Sequence, residues 1–235
     1  MTIKVVFFDA GQTLLSPVPD AQGFVSVAAR QGIELTAETI LANTPQMYQL
    51  YEQHYQRDNS FWDNHNNARA VWIEVYTLLY RLCGAKDKAE QLADAAYDFY
   101  FNPGAWYLYD DVMDVISDLH RRGLRLGLIS NWDSSLTAVI QSLEINDYLS
   151  DIIASADVGV HKPDQAIFDL ALNRLSVQAH EAMHVGDHLS ADFDGALSAG
   201  LHAVLIDRGA RHREGPRSPR IESLTELPAL LDSFS

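Results

Sequence analysis

The chain has 235 residues, of which 47% are hydrophobic and 21% charged, a composition typical of globular proteins rather than disordered, collagen-like or coiled-coil chains. Its 17 Lys and Arg against 32 Asp and Glu give a formal charge of −15, which disfavours nucleic acid and anionic membranes as partners because both require a cationic surface. A single cysteine, Cys83, and the lack of any apolar stretch near about 20 residues predict a cytoplasmic protein.

The first predicted element is a buried strand. Residues 3–8 form an unbroken apolar, β-branched and aromatic run that ends at Asp9, which is typical of a strand buried on both faces of a parallel sheet. Residues 17–103 follow as amphipathic helical stretches without a clear strand, and they predict a helical insert. Aromatic residues recur in this insert at helical spacings, and we expect them to pack in its core; they are Tyr48, Tyr51, Tyr55, Trp72, Tyr76 and Tyr80.

Strand and helix patterns alternate from about residue 105 to the end of the chain. Apolar runs predict strands at 124–130, 151–158, 182–187 and 201–207, with helical spacing between them. The alternation predicts a Rossmann-like, doubly wound α/β parallel sheet built from residues 1–16 and 104–235. Residues 208–220, rich in Arg, Gly and Pro, are expected to form a solvated surface loop, with binding of an anionic substrate tail as the alternative.

Polar residues follow the predicted strands. They are Asp9, Ser130 and Asn131, Lys162 in the loop after 151–158, and Gly186, Asp187 and Asp192. Each alone is compatible with a cap, a turn or a solvated side chain. Because ligands of open α/β sheets bind beyond the carboxyl ends of the strands, we expect these residues to lie together. Carboxylates without His or Cys form a hard oxygen site that suits Mg²⁺.

Four segments in this order resemble the motifs of the haloacid dehalogenase superfamily, and in particular its phosphatase-like members. The segments are VVFFDAGQTLL (5–15), LISN (128–131), VGVHKPDQAIF (158–168) and HVGDHLSADFDGALSAG (184–200). The resemblance implies that residues 17–103 form an α-helical cap domain inserted in the core. It also implies a Mg²⁺-dependent hydrolase that acts on a small phosphorylated substrate.

The resemblance also implies a role for each matching residue. Asp9, Ser130 and Lys162 would be catalytic, with Asp9 as the nucleophile that forms an aspartyl-phosphate. Asn131 and Thr13 would bind substrate. Asp9, the Gly11 carbonyl and Asp187 would hold Mg²⁺, and Asp192 would be an acidic partner of Lys162 or a further ligand.

The sequence departs from the family pattern at Gly11, where related phosphatases carry a second aspartate that protonates the leaving alcohol. Three hypotheses follow. The first is a weak or specialised phosphatase in which Asp133, Asp192 or His188 substitutes. The second is a haloacid dehalogenase, which needs no leaving-group proton. Against it, the metal-free dehalogenases lack the Gly-Asp pair, whereas this sequence has Gly186 and Asp187. The third is a catalytically degenerate relative that binds a phosphorylated ligand or a protein partner.

Substrate specificity is expected to reside in the cap, although the sequence does not identify the residues that carry it. Candidates are Arg57, Phe61, Trp62, His65 and Arg69, for which packing and surface ion pairs are the alternatives. His161 and His188 adjoin the motifs, and we expect supporting or solvent-exposed roles for both. The sequence does not specify an oligomeric state.

Overall fold

A parallel sheet lies at the centre of the computed structural model, which describes residues 2–209 and 219–234. The described residues form eight strands: β1 (Val5–Phe8), β2 (Leu15–Pro17), β3 (Trp106–Leu108), β4 (Arg125–Ser130), β5 (Leu149–Ala154), β6 (Ala182–Gly186), β7 (His202–Ile206) and β8 (Arg220–Ile221). Six of them make one parallel sheet in the order β5-β4-β1-β6-β7-β8. The predicted Rossmann-like sheet is therefore confirmed.

Strand β1 shows why the sequence requires helices on both sides of this sheet. All four of its side chains are fully buried, and they alternate between two hydrophobic clusters. Val6 and Phe8 belong to the cluster on one face, and Val5 and Phe7 to that on the other. Strand β4 comes so close to Phe7 that a Cβ at Gly127 would lie 2.8 Å from the Phe7 ring, which explains the glycine there.

The helices form two layers around the sheet and a separate segment beside its edge. The separate segment contains α1 (Asp20–Arg30), α2 (Ala37–Arg57), α3 (His65–Leu82) and α4 (Ala89–Phe101), and the sheet is flanked by α5 (Val112–Arg121), α6 (Leu136–Ser142), α7 (Ser155–Val158), α8 (Gln165–Arg174), α9 (Gly195–Ser198) and α10 (Leu227–Asp232). Short 3₁₀ turns occur at Asn59–Asp63, Lys86–Lys88, Pro103–Ala105, Asn146–Tyr148, Ala179–Glu181 and Leu224–Glu226, and a π-helical turn at Leu189–Asp194. None of the described helices combines the length and apolar composition that a membrane span requires.

The helical segment α1–α4 has a hydrophobic cluster of its own, to which all four helices contribute. Its two ends are held side by side, because β2 and β3 pair as an antiparallel ribbon in which Pro17 lies opposite Trp106. The sequence did not predict this ribbon, since each strand has only three residues. The observed ribbon lies at the two ends of the insert predicted for residues 17–103.

One predicted strand is wrong in its second half. The apolar run 151–158 contains the end of β5, but residues 155–158 form the short helix α7, which ends at Gly159 in the left-handed conformation (φ 72°). Ser155 at the start of α7 is fully buried and donates a hydrogen bond to the Trp62 carbonyl (2.8 Å). A short buried helix and a buried strand both appear as apolar runs, so periodicity does not separate them.

Candidate active site

The carboxyl edge of the sheet brings the predicted site residues together. Strand β1 ends at Phe8, which is in register with Leu128 of β4 and Val185 of β6. Asp9 extends this register because its N–H donates to the Val185 carbonyl (2.9 Å). The residues that follow the three strands therefore emerge side by side, as the sequence predicted.

Lys162 reaches the same place from the loop between α7 and α8. Gly159 ends α7, and the Asp164 side chain caps α8 by accepting from the Ala166 N–H (2.9 Å). The loop is anchored to the sheet by Asn131, whose side-chain amide donates to the Lys162 carbonyl (2.9 Å) and whose Oδ1 accepts from the Lys162 N–H (2.7 Å). These contacts hold the Lys162 backbone. Asn131 also lines the cavity beside Asp9, and its contact with substrate stays a prediction.

The side chains of Asp9, Lys162, Asp192 and Ser130 form one buried network. The Lys162 ammonium donates to Oδ1 of Asp9 (2.7 Å) and to Oδ1 of Asp192 (2.5 Å), and Ser130 donates to Oδ1 of Asp9 (2.9 Å). Both of these donors use one oxygen of Asp9, while Oδ2 accepts no hydrogen bond from residues 2–209 and 219–234. The Asp9 carboxylate is thus fixed in orientation through Oδ1.

Burial and neighbouring charges shift the pKa values of the ionisable groups in this network in opposite directions. Burial raises the pKa of Asp9, and the favourable charge of Lys162 offsets this only in part. Burial alone would lower the pKa of Lys162, but the carboxylates of Asp192 and Asp9 outweigh it and hold the ammonium charged. For Asp192, burial is outweighed by Lys162 and His184, so its pKa lies well below its usual range. Asp192 is therefore ionised at neutral pH and accepts from the Lys162 ammonium.

Sequence reasoning missed His184, which completes this network. Its ring is fully buried in β6, Nε2 lies 2.8 Å from Oδ1 of Asp192, and the Phe168 ring contacts it edge to face (centroids 5.5 Å). Burial lowers the pKa of His184, so the ring is neutral and its Nε2–H donates to Asp192. With Lys162 and the His188 N–H, which donates to Oδ2 (2.9 Å), Asp192 accepts from three groups. The signal available in the sequence was a histidine inside an otherwise apolar strand.

Gly186 allows Asp192 to occupy this position. A Cβ at Gly186 would lie 2.2 Å from Cγ of Asp192, a distance that no real contact tolerates. The π-helical turn Leu189–Asp194 carries the Asp192 side chain over the end of β6 at this point. Turns of this kind occur often at functional sites. Glycine is therefore required at position 186 because the Asp192 carboxylate approaches the backbone closely.

A buried acidic cluster at this edge could hold a metal ion. Carboxylate oxygens of Asp9, Asp187 and Asp192 lie within 4.8 Å of one another. The donors are hard oxygens without His or Cys, which suits Mg²⁺. Because Asp192 is already engaged by three hydrogen-bond donors, Asp9 and Asp187 are the side chains best suited to bind an ion. Gly11 lines the same cavity and would add a backbone carbonyl.

Thr13 does not lie where the resemblance places it. Its side chain is fully buried, its Oγ1 has no hydrogen-bond partner within the described parts of the chain, and it does not line the cavity at the site. The turn after Asp9 hydrogen-bonds back to Ala10, and the Thr13 carbonyl accepts from the Arg208 guanidinium (2.9 and 3.1 Å). This turn directs Thr13 into the interior, so the predicted contact with substrate is absent.

A cavity of about 740 Å³ lies between the acidic cluster and the helical segment. Of the six aromatic residues expected to pack in the core of the insert, Tyr80 does so, fully buried with its hydroxyl donating to the Phe24 carbonyl (3.1 Å). The other five line the cavity, namely Tyr48, Tyr51, Tyr55, Trp72 and Tyr76. Tyr76 also belongs to the buried cluster of the helical segment, and Tyr51, Tyr55 and Trp72 pack against buried clusters, so core packing is confirmed for most of this set while Tyr48 is exposed.

Trp62 is the one specificity candidate from the insert that lines the cavity. Phe61 is buried against it (centroids 5.2 Å), and Arg57 contacts the ring of His54 (3.2 Å). Arg69 pairs with Asp94, and His65 contacts the Ser134 hydroxyl (3.3 Å).

Three other candidates have defined partners. His161 contacts Asp63 (2.6 Å), and His188 lines the cavity with Nδ1 accepting from the Ala191 N–H (3.2 Å). Asp133 also lines the cavity, and its two oxygens accept from the Tyr97 hydroxyl (2.6 Å) and the Ser135 N–H (2.9 Å). Residues 210–218 of the Arg-rich loop lie outside the described residues.

Comparison with known proteins agrees with this geometry. Residues 3–200 match the family model of haloacid dehalogenase-like hydrolases. The chain is 28% identical to haloacid dehalogenase-like hydrolase domain-containing protein 3 of Danio rerio, over 97% of this chain and 96% of that protein. It is 31% identical to glyceraldehyde 3-phosphate phosphatase of Methanopyrus kandleri, over 92% and 89% respectively. Its fold is similar to the crystal structure of a 2-haloacid dehalogenase from Pseudomonas syringae, with TM-score 0.66, 26% identity and coverage of 100% of each chain.

Proposed function

The chain belongs to the haloacid dehalogenase-like hydrolases, and on that premise we propose that it is a Mg²⁺-dependent phosphatase of a small phosphorylated metabolite. The observation that supports the proposal is the hydrogen bonding of the Asp9 carboxylate. Ser130 and Lys162 both bind Oδ1 of its carboxylate, so Oδ2 remains for attack on phosphorus. The catalytic residues are Asp9, Ser130 and Lys162.

The reaction we propose has two steps. Oδ2 of Asp9 attacks phosphorus, the bond from phosphorus to the alcohol oxygen breaks, and the alcohol oxygen leaves with the bonding electrons and takes a proton from water. Water then attacks the phosphorus of the aspartyl-phosphate, which releases inorganic phosphate and restores Asp9. Splitting one difficult displacement in this way is the advantage of a covalent intermediate. Lys162 orients Asp9 throughout and offsets charge on the phosphoryl oxygens.

Asp9 and Asp187, with the Gly11 carbonyl, are the groups we expect to hold Mg²⁺. When bound, Mg²⁺ would offset the repulsion between the Asp9 carboxylate and the phosphoryl group, about 4 kcal/mol for two unit charges 4 Å apart at an effective dielectric near 20. Asp192 keeps its three hydrogen-bond donors. Its part in the reaction is to hold the Lys162 ammonium in place.

The proton for the leaving alcohol has no evident donor, because position 11 is glycine. Both oxygens of Asp133 and both of Asp192 already accept hydrogen bonds. Nδ1 of His188 accepts from the Ala191 backbone N–H, so this nitrogen does not donate a proton. General acid catalysis contributes about 10² to 10⁴ in rate. We therefore expect faster turnover of esters with acidic alcohols than of alkyl phosphates.

The test is hydrolysis of p-nitrophenyl phosphate. The wild-type protein should release nitrophenol with Mg²⁺ and lose this activity with a chelator. Asp9→Asn should abolish it because an amide is a poor nucleophile. Asp169→Asn, the same change at an exposed aspartate of α8, is the matched control. Activity in wild type no higher than in Asp9→Asn would refute the proposal.

Such a refutation would favour the second candidate, a protein that binds phosphorylated ligands without turnover, which the missing carboxylate at Gly11 supports. A dehalogenase is disfavoured because Asp187 belongs to the acidic cluster, and dehalogenases of this family do not keep the Gly186-Asp187 pair. Chloride release from 2-chloropropionate in the presence of chelator would support a dehalogenase instead.

The proposal also includes the domain organisation, the cellular location and the partners that the sequence predicts. Residues 17–103 would form a cap domain over a core of residues 1–16 and 104–235, and the cap would select the substrate. The protein would act in the cytoplasm on a small phosphorylated substrate, without nucleic acid or membrane as partner.

A further inference from the structure

We infer that the substrate is a phosphate monoester with no second anionic group, whose alcohol carries a flat apolar ring. The inference rests on the proposed phosphatase function and adds the chemistry of the part of the substrate that does not react. It comes from six aromatic residues that line the cavity, which we call the aromatic wall: Tyr51, Trp62, Trp72, Tyr76, Tyr97 and Trp106.

The aromatic wall offers ring surface rather than hydrogen bonds, because its polar atoms are largely used within the protein. Trp62 Nε1 donates to the Tyr51 hydroxyl (3.3 Å), and Trp106 Nε1 donates to the Tyr100 carbonyl (2.7 Å). The Tyr97 hydroxyl donates to Asp133 (2.6 Å). A substrate that meets this wall gains from apolar contact and stacking, which favour a flat ring.

The rings are also held in place before any ligand binds. Tyr51 and Trp72 stack with centroids 4.9 Å apart and planes 15° from parallel, and Trp72 contacts Tyr76 at 5.4 Å. A rigid apolar surface binds without losing side-chain freedom. At about 740 Å³ the cavity lies within the range of sites that enclose a whole organic ligand, so it has room for a ring beside the phosphoryl group.

The charged residues that line the cavity disfavour a substrate with a second anionic group. Among the described residues that line the cavity, Lys162 is the one Lys or Arg, and Asp9 and Asp192 already pair with it. Glu52 and Asp133 line the cavity as well, and neither has an ion-pair partner within residues 2–209 and 219–234. Among the described lining residues, a carboxylate or second phosphate on the substrate would meet carboxylates and no unpaired Lys or Arg.

The decisive experiment compares two aryl phosphates of the same shape. 4-(Carbamoylmethyl)phenyl phosphate and 4-(carboxymethyl)phenyl phosphate differ in one negative charge far from the reacting oxygen, and their phenols are similar in acidity. We expect kcat/KM for the carboxylate to be at least tenfold lower. Equal values, or preference for the carboxylate, would overturn the inference.

Two variants of residues that line the cavity test whether the lining causes the preference for the uncharged substrate. Glu52→Lys places a cation at an exposed lining position and should raise the ratio of kcat/KM for the carboxylate to that for the amide about tenfold. Gln53→Lys adds the same charge beside the cavity and is the control. Trp72→Leu should raise KM for the amide about tenfold without lowering kcat. Ile73→Ala on the same helix, outside the cavity lining, controls for stability.

Failure of this inference is distinct from failure of the proposed function. If p-nitrophenyl phosphate is hydrolysed with Mg²⁺ and this depends on Asp9, the phosphatase stands, and the ratio between the two aryl phosphates decides the inference alone. If no ester is hydrolysed, the same pair is compared by calorimetric titration of the wild-type protein with Mg²⁺. A Kd at least tenfold weaker for the carboxylate would support the inference, and equal Kd values would refute it.

Discussion

Replacing His184 by Phe tests whether the hydrogen bond to Asp192 positions Lys162. Phenylalanine keeps the buried volume and the edge-to-face contact with Phe168, and it removes one of the three donors to the Asp192 carboxylate. A hydrogen bond to a charged group contributes about 1.5–3 kcal/mol. For a chain of this size, a loss of about 2 kcal/mol lowers Tm by about 4–8 °C.

The same change should lower kcat by about tenfold, equivalent to about 1.4 kcal/mol of transition-state stabilisation, and leave KM nearly unchanged. The reason is that Asp192 and Asp9 share the Lys162 ammonium, so a displaced Asp192 moves the cation that orients Asp9. The assays are thermal unfolding and kinetics with p-nitrophenyl phosphate.

Two matched variants separate the hydrogen bond from packing. His184→Gln restores an N–H donor and should recover most of kcat. Phe168→Leu removes the ring contact with His184, keeps the hydrogen bond, and should lower Tm with little effect on kcat. Wild-type kcat in His184→Phe, or an equal loss in Phe168→Leu, would refute the positioning role.

Three further predictions follow from the site. Gly11→Asp should raise turnover of alkyl phosphates more than that of p-nitrophenyl phosphate, since a Cβ there meets only Trp132 at 3.4 Å; equal gains on both substrates would contradict the missing-acid explanation. Asp192→Asn should lose stability at neutral pH. The loss should shrink as pH falls below the ordinary carboxyl pKa of 3.8, because a depressed folded-state pKa stabilises the protein above the unfolded-state pKa and this stability disappears as pH falls toward the folded-state value. A loss of stability that does not change with pH in unfolding measurements would count against this explanation. Tyr97→Phe removes the hydroxyl that joins α4 to Asp133 and should cost about 1 kcal/mol in denaturant unfolding, whereas unchanged stability would show that this contact contributes nothing.

The sequence was most informative where buried strands end. An apolar run such as residues 3–8 is consistent with a parallel strand covered on both faces, and the alternation of strands and helices then places the carboxyl ends of the strands at one edge. The chemistry of Asp9, Ser130 and Asp187 could be predicted from this rule because backbone direction alone decides where these residues emerge.

Tertiary packing decided what the order of residues leaves open. The aromatic spacing in the insert predicted core packing, and only the tertiary structure shows that most of these rings also line a cavity beside the sheet edge. Thr13 lies in a predicted motif, but the turn after Asp9 buries it away from the cavity, and the hydrogen bonds of Asn131 to the Lys162 backbone were not predictable from the motif.

The sequence by itself therefore determined the fold class and the charged groups at the strand ends, since local hydrophobic pattern and chain direction specify both. The three-dimensional structure decided which atoms of those groups are free. Oδ2 of Asp9 accepts no hydrogen bond within the described parts of the chain, while three donors bind Asp192, one of them a histidine in β6. Hydrogen bonds between residues far apart in the chain depend on packing distances and orientations, and a linear pattern does not contain them.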